Sequence, residues 1–308
     1  MLNRMYDIAV IGCPSFDRIT RNSIESATRS LSGPAVTTTL TASKLGIENM
    51  VIIGSISNEF TAQLVTEFDN LGIPEYYTID SAETGGFEIE CNDNEEPIYT
   101  RVLGIPKSLG IRDIPEEFLS SKIIILSPLL QEIDAELVEW IVNSSDSLIM
   151  LDPQLRTADE NRKLTIISEL FVTSKTRSFI DYIIPNEHEA FLITGEVDPF
   201  LAAEIIVDSI ADHCIITLDS QGCLLFDGEK FSIIPSQTIE VCDVDGAGPA
   251  FVAGSASGLL DNQLNPKCAA LGTAVAGFKV LGRGTDFQLN LTQVQRRAEE
   301  IALDIETR

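Results

Sequence analysis

Short apolar runs alternate with longer segments of helical spacing along most of the chain. The runs are rich in β-branched residues and bounded by turn residues, which is typical of strands buried on both faces. Strands are expected at residues 7–11, 50–53, 123–126, 148–151, 182–184 and 215–218. Helices are expected between them at residues 59–71, 134–142 and 199–211. This alternation predicts an α/β fold with a mostly parallel central sheet flanked by helices.

Two segments interrupt the alternation. Residues 86–101 place the strand-like FEIEC and IYTR around the turn-rich NDNEEP, a hairpin too polar for the centre of a parallel sheet. We therefore predict a small β-lid, built from about residues 14–33 and 84–104, within a single domain spanning residues 1–308. A second hairpin, CLLFD-GEK-FSIIP, is expected at residues 223–235. Three helices are expected after it, at residues 249–260, 266–281 and 292–305.

The charge of the chain limits its partners. Its 308 residues include 21 Lys and Arg against 47 Asp and Glu, a formal net charge of −26. Such an excess of negative charge disfavours nucleic acid and anionic membrane surfaces as partners. A ligand that carries phosphate would therefore need a local site of its own.

Composition also suggests a compartment. The first apolar stretch is interrupted by Asp7, which is typical of a strand rather than a secretory leader, and runs such as residues 123–126 are far shorter than the ~20 residues of a membrane span. The six cysteines form no C-x-x-C pair, and only two histidines could join them at a metal. We therefore expect free thiols in a reducing compartment, and hence a cytoplasmic protein.

The most informative segment is residues 242–260, CDVDGAGPAFVAGSASGLL. Gly246, Ala247 and Gly248 are expected to form a turn that opens onto a helix. Backbone N–H groups at such a helix start converge on one point, where the helix dipole favours an anion. By itself the pattern also fits a tight turn before a packing helix rich in glycine and alanine.

Several other segments accompany this turn. IIPNEHEAFLITGE and IITLDSQGCLLFDG precede it at residues 183–196 and 215–228, and YDIAVIGCPSFDRI, SGPAVTTTLTASKLGI and VIIGSISNEFTAQLVTEFDNLGI lie nearer the N-terminus. Together they resemble, in order and spacing, the motifs of the PfkB or ribokinase-like carbohydrate kinases from about residue 6 to residue 285. The resemblance implies a ribokinase-like fold and phosphoryl transfer from ATP, with Mg²⁺, to a hydroxyl group of a sugar or nucleoside.

The resemblance implies a substrate site near the first strand. Asp17 matches a carboxylate that binds substrate hydroxyls at the carboxyl edge of the sheet. Gly33 retains one glycine of the substrate loop, and Thr37 lies about where an asparagine usually contacts the sugar. Taken by itself, Asp17 also fits a solvated loop carboxylate, because carboxylates are plentiful in this chain.

The resemblance also implies a nucleotide and metal site. Asn186 matches a position near the phosphates, and Glu189 matches one that organises Mg²⁺ and its waters. Thr217 and Gly222 fall in the nucleotide strand and turn, and residues 246–248 match the anion hole. Considered alone, Asn186 and Glu189 also fit the cap and first turn of an ordinary helix.

Two departures from the family pattern affect the chemistry. The residue after Gly-Ala-Gly is usually an aspartate that takes the proton from the substrate hydroxyl, and here it is Pro249. Proline is not a base and has no backbone N–H, although it suits the first position of a helix. Asp219 replaces a glycine of the nucleotide motif and places a negative charge there. Asp245, on the other side of the turn, is the candidate substitute for the missing base.

Two functions of different classes fit these residues. The first is a weakly active kinase of a sugar or nucleoside that depends on ATP and Mg²⁺. The second is a catalytically inactive regulatory protein that binds a nucleotide or another small ligand. For either function, the strand edges of the lid allow a homodimer to form through the lid. The sequence leaves the acceptor and the nucleotide preference open.

Overall fold

The computed structural model describes residues 6–21, 24–25, 29–91, 97–168, 180–237, 239–263 and 265–308. Its strands are β1 (Ile8–Ile11), β2 (Ser15–Arg21), β3 (Ile24–Glu25), β4 (Ser30–Ser32), β5 (Met50–Ile56), β6 (Tyr76–Asp80), β7 (Gly86–Cys91), β8 (Pro97–Gly104), β9 (Ile123–Leu126), β10 (Leu148–Leu151), β11 (Arg156–Ala158), β12 (Leu164–Ile166), β13 (Ile180–Ile183), β14 (Ala211–Thr217), β15 (Cys223–Phe226), β16 (Phe231–Ile234) and β17 (Glu306–Thr307). Its helices are α1 (Pro34–Lys44), α2 (Asn58–Leu71), α3 (Ala135–Ser144), α4 (Glu187–Thr194), α5 (Pro199–Ser209), α6 (Ala247–Leu260), α7 (Asn265–Lys279) and α8 (Leu291–Leu303).

A ten-stranded sheet forms the centre of the described part of the chain. Its order is β17-β16-β15-β14-β13-β10-β9-β1-β5-β6. From β14 to β6 all neighbours run parallel, and β15 to β17 extend one edge with antiparallel pairs. Every residue of β1 and β9 is buried, as parallel strands covered on both faces require. The predicted α/β fold with a mostly parallel sheet is confirmed.

Helices cover both faces of this sheet and create two apolar cores. Successive side chains of a strand point to opposite faces. Val10 accordingly packs in one cluster with Leu64 of α2 and Val275 of α7. Its neighbour Ile11 packs in the other cluster with residues such as Ile141 of α3. The strands are thereby fixed from both sides, and their carboxyl ends form a stable edge on which a site can be built.

A second, smaller sheet has the order β3-β2-β7-β8, with β4 paired to β2, and we call it the lid sheet. Strands β7 and β8 form an antiparallel hairpin where the polar FEIEC and IYTR segments predict one, and their connection at residues 92–96 lies outside the described residues. Phe87 and Val102 of the lid sheet pack on Leu129 beside the central sheet. Pairing of two chains through the lid, and a single domain over residues 1–308, stay predictions.

A short hairpin of β11 and β12 was not expected from the sequence. Its two strands have three residues each, which is too short for an alternation of apolar and polar positions to be recognised. Arg162, in the turn between these two strands, donates hydrogen bonds of 2.9 and 2.6 Å to the carboxylate of Glu83. The Val102 N–H of the lid sheet donates to the Arg162 carbonyl at 2.8 Å. The hairpin therefore fastens the lid sheet to the loop that follows β10.

The remaining compositional expectations concern thiols and the membrane. Cys13, Cys214, Cys223, Cys242 and Cys268 are free thiols. Among the described residues, no helix combines the length and the apolar character that crossing a lipid bilayer demands.

Candidate active site

The candidate site lies where the lid sheet meets the carboxyl ends of the central strands. Asp152 follows β10 and Asn186 follows β13, and parallel strands end at the same edge of a sheet. The chain passes from β1 through a short connection into β2 of the lid sheet, which carries Asp17. Side chains from the lid sheet and from the sheet edge can therefore act on one ligand.

Asp17 lies on β2 and is buried, with 2% of its surface exposed. Its carboxylate accepts hydrogen bonds from the Phe87 N–H at 2.8 Å and from the Ser15 hydroxyl at 3.3 Å. Burial raises the pKa of Asp17 to about 7, against the effect of hydrogen bonds that include one from Ser32, and the negative charge of Asp245 raises it further. The interpretation of Asp17 as a solvated loop carboxylate is therefore wrong.

Gly33 and Thr37 bring the start of α1 to the same place. Gly33 precedes the helix with φ +112, in the region that favours glycine, and an added Cβ there would lie 3.2 Å from the Ser15 nitrogen. Thr37 lies one turn into α1, and its Cγ2 methyl would lie 3.1 Å from a Cβ built on Gly246. The structure thus places the predicted substrate loop beside the predicted anion-binding turn.

The turn of residues 246–248 opens onto α6 as predicted. Gly246 caps the helix with φ +79, and its carbonyl accepts the Ala250 N–H at 3.1 Å as the first helical hydrogen bond. The Ala247 N–H donates to the Val244 carbonyl at 3.2 Å, whereas the exposed Gly248 has open space in front of it, since a Cβ there would meet no atom within 4 Å. Gly248 is therefore the most exposed residue of this turn, and its N–H has no partner within the helix.

Pro249 is the third residue of α6 rather than the first, because the helix begins at Ala247. The N–H groups of the first turn have no partner within the helix, so the proline leaves no helical hydrogen bond unmade. Pro249 is buried, and its carbonyl accepts a hydrogen bond from the Thr38 hydroxyl at 3.3 Å. The fold thus accommodates a proline where the usual pattern has a carboxylate.

Asp245 joins the turn to the lid sheet. Its carboxylate accepts a 3.0 Å hydrogen bond from the Tyr99 hydroxyl of β8, and its N–H donates to the Asp243 carboxylate at 3.1 Å. Its negative charge adds to the effect of burial, which is the main cause of the raised pKa of Asp17. The carboxylate of Asp245 therefore faces the space between the lid sheet and the sheet edge.

Arg156 supplies a positive charge to this space, and it was not identified from the sequence. Its guanidinium lies 5.0 Å from the centre of the Tyr99 ring. Burial alone would lower the pKa of Arg156, but Tyr99, Asp245 and Glu189 together raise it. Burial and the charge of Asp245 in turn raise the pKa of Tyr99, which keeps its hydroxyl protonated. Tyr99 lies in the predicted lid hairpin, where no chemical role was assigned to it, and Arg156 lies outside the recognised motifs.

Glu189 and Asn186 form a capping box at the start of α4. The Asn186 side chain accepts the Glu189 N–H at 2.8 Å, and the Glu189 carboxylate accepts the Asn186 N–H at 3.0 Å. Glu189 is also buried, which raises its pKa, against the effects of the Asn186 N–H and of Arg156. The interpretation of Asn186 and Glu189 as the cap and first turn of a helix is thus confirmed. The carboxylate of Glu189 also interacts with the charge of Arg156.

Asp152 is a second buried carboxylate at this edge, and sequence reasoning missed it. Its oxygens accept hydrogen bonds from the Ser127 hydroxyl at 2.9 Å and from the Gln154 amide at 3.0 Å. Burial raises the pKa of Asp152 to about 7, and the charge of Glu189 adds to this effect. One signal was available, because Asp152 directly follows the buried strand β10 and so had to lie at the edge where open sheets bind ligands.

Only some of the residues predicted to bind the nucleotide lie next to each other in the structure. Thr217 pairs with Asn186 as an isolated bridge, and its N–H donates to the Pro185 carbonyl at 3.0 Å. Gly222 has φ +101, and an added Cβ would overlap the Ile234 carbonyl, so glycine is required there by the hairpin itself. Asp219 is exposed in a short turn with φ +47. Thr217 and Asn186 therefore adjoin each other, whereas the predicted role of Asp219, which is exposed to solvent, stays a prediction.

The donor groups at this edge fit a Mg²⁺ ion. Within the described ranges, no three His, Cys, Asp or Glu side chains cluster closely enough to enclose a metal. Mg²⁺, however, is usually held by one or two carboxylates, with water and substrate phosphates as its other ligands. Asp152 and Glu189 are buried carboxylates whose charges interact unfavourably, and a divalent cation would relieve this repulsion.

Comparisons with known proteins agree with this architecture. A sequence profile described as "pfkB family carbohydrate kinase" matches residues 3–291 of the chain. The chain is 23% identical to a ribokinase of Lactococcus lactis over 328 aligned positions, which cover 98% of this chain and 100% of that protein. It is 28% identical to a cytidine kinase of Thermococcus kodakarensis over 172 positions, which cover 55% of this chain and 59% of that protein.

A solved structure shows the same fold. The structure of an Arabidopsis thaliana ribokinase complexed with ribose and ATP superposes with a TM-score of 0.75 at 17% identity, over 96% of this chain and 99% of that chain. The central sheet, the flanking helices and the lid sheet are thus arranged as in a ribokinase. The ribokinase-like fold predicted from the sequence is confirmed.

Proposed function

Because the chain belongs to the pfkB family of carbohydrate kinases, we propose that it transfers the terminal phosphoryl group of ATP to a hydroxyl group of a sugar or nucleoside, with Asp245 as the base. One observation carries the proposal. The Asp245 carboxylate faces the space between lid and sheet edge, bonded to Tyr99 and within electrostatic range of Asp17 and Arg156. A carboxylate is therefore available in the cleft even though Pro249 removes the usual one.

The acceptor would bind between the lid sheet and α1. Asp17, when ionised, is an acceptor for hydroxyl groups, and its burial beside Phe87 makes such hydrogen bonds strong. Thr37 lies beside the turn, with its methyl group toward Gly246, and its hydroxyl would be the second group to contact the acceptor. An acceptor with two neighbouring hydroxyls fits this pair, and both a sugar and a nucleoside ribose carry them.

The donor phosphates would lie at the start of α6. The Gly248 N–H and the helix dipole favour an anion at this point. Arg156 presents a guanidinium that stabilises the charge on the transferring group. When bound at Asp152 and Glu189, Mg²⁺ would neutralise further charge on the phosphates. Asn186 and Thr217 adjoin each other at the neighbouring strand ends, where the rest of the nucleotide would lie.

The reaction needs a group that accepts the proton of the attacking hydroxyl. As the acceptor oxygen forms its bond to the terminal phosphorus, its proton passes to the Asp245 carboxylate. The bond from that phosphorus to the bridging oxygen breaks, and ADP leaves with the electron pair. The Tyr99 hydroxyl already donates to one Asp245 oxygen, so the acceptor hydroxyl would use the other.

The proposed activity is slow. A positioned general base contributes about 10²- to 10⁴-fold in rate, and one anion-hole donor about 10²- to 10³-fold. Pro249 removes the usual carboxylate and one N–H together, and Asp245 approaches from the other side of the turn. We therefore expect turnover well below the ~1 to 100 per second of ordinary kinases.

Binding without turnover is the alternative that Pro249 favours. In that case ATP or ADP would still bind at the start of α6, but no base would act on an acceptor. A regulatory protein of this kind would be stabilised thermally by nucleotide and would form no product at high enzyme concentration.

Phosphate transfer from ATP to a panel of sugars, polyols and nucleosides separates the two functions. Asp245→Asn should lower kcat on the best acceptor by about 10²-fold or more, while nucleotide affinity is retained. Asp261→Asn, at the exposed far end of α6, is the matched control and should leave kcat unchanged. Equal rates for Asp245→Asn and the wild type would rule out Asp245 as the base, and no transfer by the wild type to any acceptor would reject the kinase.

A further inference from the structure

Lys279, the last residue of α7, is buried with 1% of its surface exposed. Lysine is almost never fully buried unless its charge is paired, because removing an ammonium from water is costly. Burial lowers the pKa of Lys279, and the nearby carboxylates of Asp243 and Asp245 raise it again. A charged group kept in such a position needs a specific partner.

That partner is the backbone of the anion-binding turn. The Lys279 ammonium donates a hydrogen bond to the backbone carbonyl of Asp245. Its Cε methylene would lie 3.1 Å from a Cβ on Gly246, so the side chain passes directly under the turn. The ammonium therefore contacts the peptide unit that joins Asp245 to Gly246.

Other bonds hold this segment to the end of α7. The Cys242 and Asp243 N–H groups donate to the Val280 carbonyl at 2.7 and 3.1 Å. The Asp243 carboxylate accepts the N–H groups of Asp245 and Gly284, each at 3.1 Å. Because the turn is already fixed by these bonds, the lysine charge is not needed merely to close it.

The orientation of the Asp245–Gly246 peptide suggests a role for the positive charge of Lys279. In a trans peptide the C=O and the N–H point in opposite directions. With the Asp245 carbonyl turned to Lys279, the Gly246 N–H points away from the lysine. A cation on the carbonyl oxygen also polarises the peptide and makes this N–H a stronger donor.

We propose that Lys279 is the positioning residue of the phosphate site, whose ammonium orients and polarises the Asp245–Gly246 peptide so that its N–H is presented to a phosphate group of the donor. This inference rests on the proposed function insofar as it places phosphate at the start of α6. It assigns to Lys279 an effect on donor binding that acts through the backbone, without contact between the lysine and the ligand.

Calorimetric titration with pyrophosphate and with ATP tests this role without requiring turnover. Lys279→Met keeps the length of the side chain and removes its charge. We expect it to weaken pyrophosphate binding by about 10- to 100-fold, the range that loss of a charge-assisted hydrogen bond represents. Lys267→Met, on the exposed surface of the same helix, is the matched control and should leave the Kd unchanged. An unchanged Kd in folded Lys279→Met would overturn the proposal.

A second variant covers the case in which Lys279→Met does not fold. Lys279→Ala leaves space for a propylammonium ion, which carries the missing methylenes and charge. Adding propylammonium should restore pyrophosphate binding at least about fivefold, whereas the isosteric neutral n-propanol should not. Equal effects of the two additives, or no effect of either on folded Lys279→Ala, would contradict a role for the charge.

The outcomes also separate this inference from the proposed function. If the wild type binds pyrophosphate and the lysine variants bind it weakly, the inference stands even when no acceptor is phosphorylated. If turnover is found and the acceptor KM changes in Lys279→Met while the ATP KM and the pyrophosphate Kd do not, the kinase stands and the inference fails.

Discussion

The hydroxyl of Tyr99 and the carboxylate of Asp245 lie 3.0 Å apart and form a hydrogen bond. Tyr99 belongs to the lid sheet, and Asp245 directly precedes the turn at the start of α6. The guanidinium of Arg156 lies over the face of the Tyr99 ring. The lid sheet is thus connected to the residue that we propose as the base.

Removing the Tyr99 hydroxyl tests this connection. Tyr99→Phe keeps the ring contacts with Phe87 and Arg156 and loses the hydroxyl group's bond to Asp245 together with its interaction with the Arg156 guanidinium. We expect an unfolding free energy lower by about 1 to 2 kcal/mol and an acceptor KM raised about 3- to 10-fold. Urea denaturation and steady-state kinetics measure the two effects. Tyr77→Phe on the exposed β6 is the control, and equal behaviour of the two variants would contradict the connection.

Asp17 should make stability depend on pH. Burial raises the pKa of Asp17 to about 7, whereas an aspartate in an unfolded chain titrates near 3.9. Its stabilising contribution is therefore complete below about pH 4 and is lost as the pH rises to about 7. Asp17→Asn removes this loss, so between pH 5 and pH 8 the variant should gain roughly 2–4 kcal/mol relative to the wild type. Urea denaturation at several pH values measures the difference, and parallel curves would contradict it.

Gly246 should tolerate no side chain. An alanine there would combine φ +79 with contacts of 3.1 Å to the Lys279 Cε and the Thr37 methyl. Gly195→Ala is a matched control, because Gly195 has φ +74 and an added Cβ would meet nothing within 4 Å. We expect both changes to destabilise the fold by about 1 kcal/mol through the backbone, and Gly246→Ala to cost about 1 to 3 kcal/mol more through crowding. Thermal unfolding checks the difference, and equal losses would show that the neighbouring side chains move aside.

Restoring the missing carboxylate tests whether its loss limits the proposed turnover. Pro249→Asp introduces an acid and an N–H in the first turn of α6, where a negative charge also suits the helix dipole. We expect kcat to rise at least about 10-fold and the melting temperature to fall, because Pro249 is buried and a carboxylate there loses hydration. Pro266→Asp, in the first turn of α7, is the control and should not raise kcat. A folded Pro249→Asp variant without any gain in kcat would indicate that another step limits the rate.

The sequence predicted the short strands that are almost entirely buried. Strands β9 and β10 match the expected residues 123–126 and 148–151, because an apolar run between turn residues has no other stable place in an α/β fold. The start of α6 was placed two residues late, because Pro249 was taken for the first helical position. A proline is equally compatible with the third position, and only the backbone geometry distinguishes the two.

The site was predictable only where a motif or a strand end marked it. Asp17 and Asp245 were found because they adjoin the first strand and the glycine turn. Arg156 and Tyr99 were missed because their role depends on the packing of a short hairpin and of the lid sheet on the sheet edge, which no local pattern specifies. Lys279 was missed because it ends a helix of small residues, where a lysine is typical of the exposed last turn.

The pair of Arg162 and Glu83 gives the surrounding solution an influence on the lid sheet. Both side chains are partly exposed, with 35% and 40% of their surfaces accessible, so dissolved ions weaken their attraction. Higher ionic strength therefore loosens the attachment between the β11–β12 hairpin and the root of the lid strands. Acceptor access would then vary with the salt content of the cell, without any change in the residues that contact the acceptor.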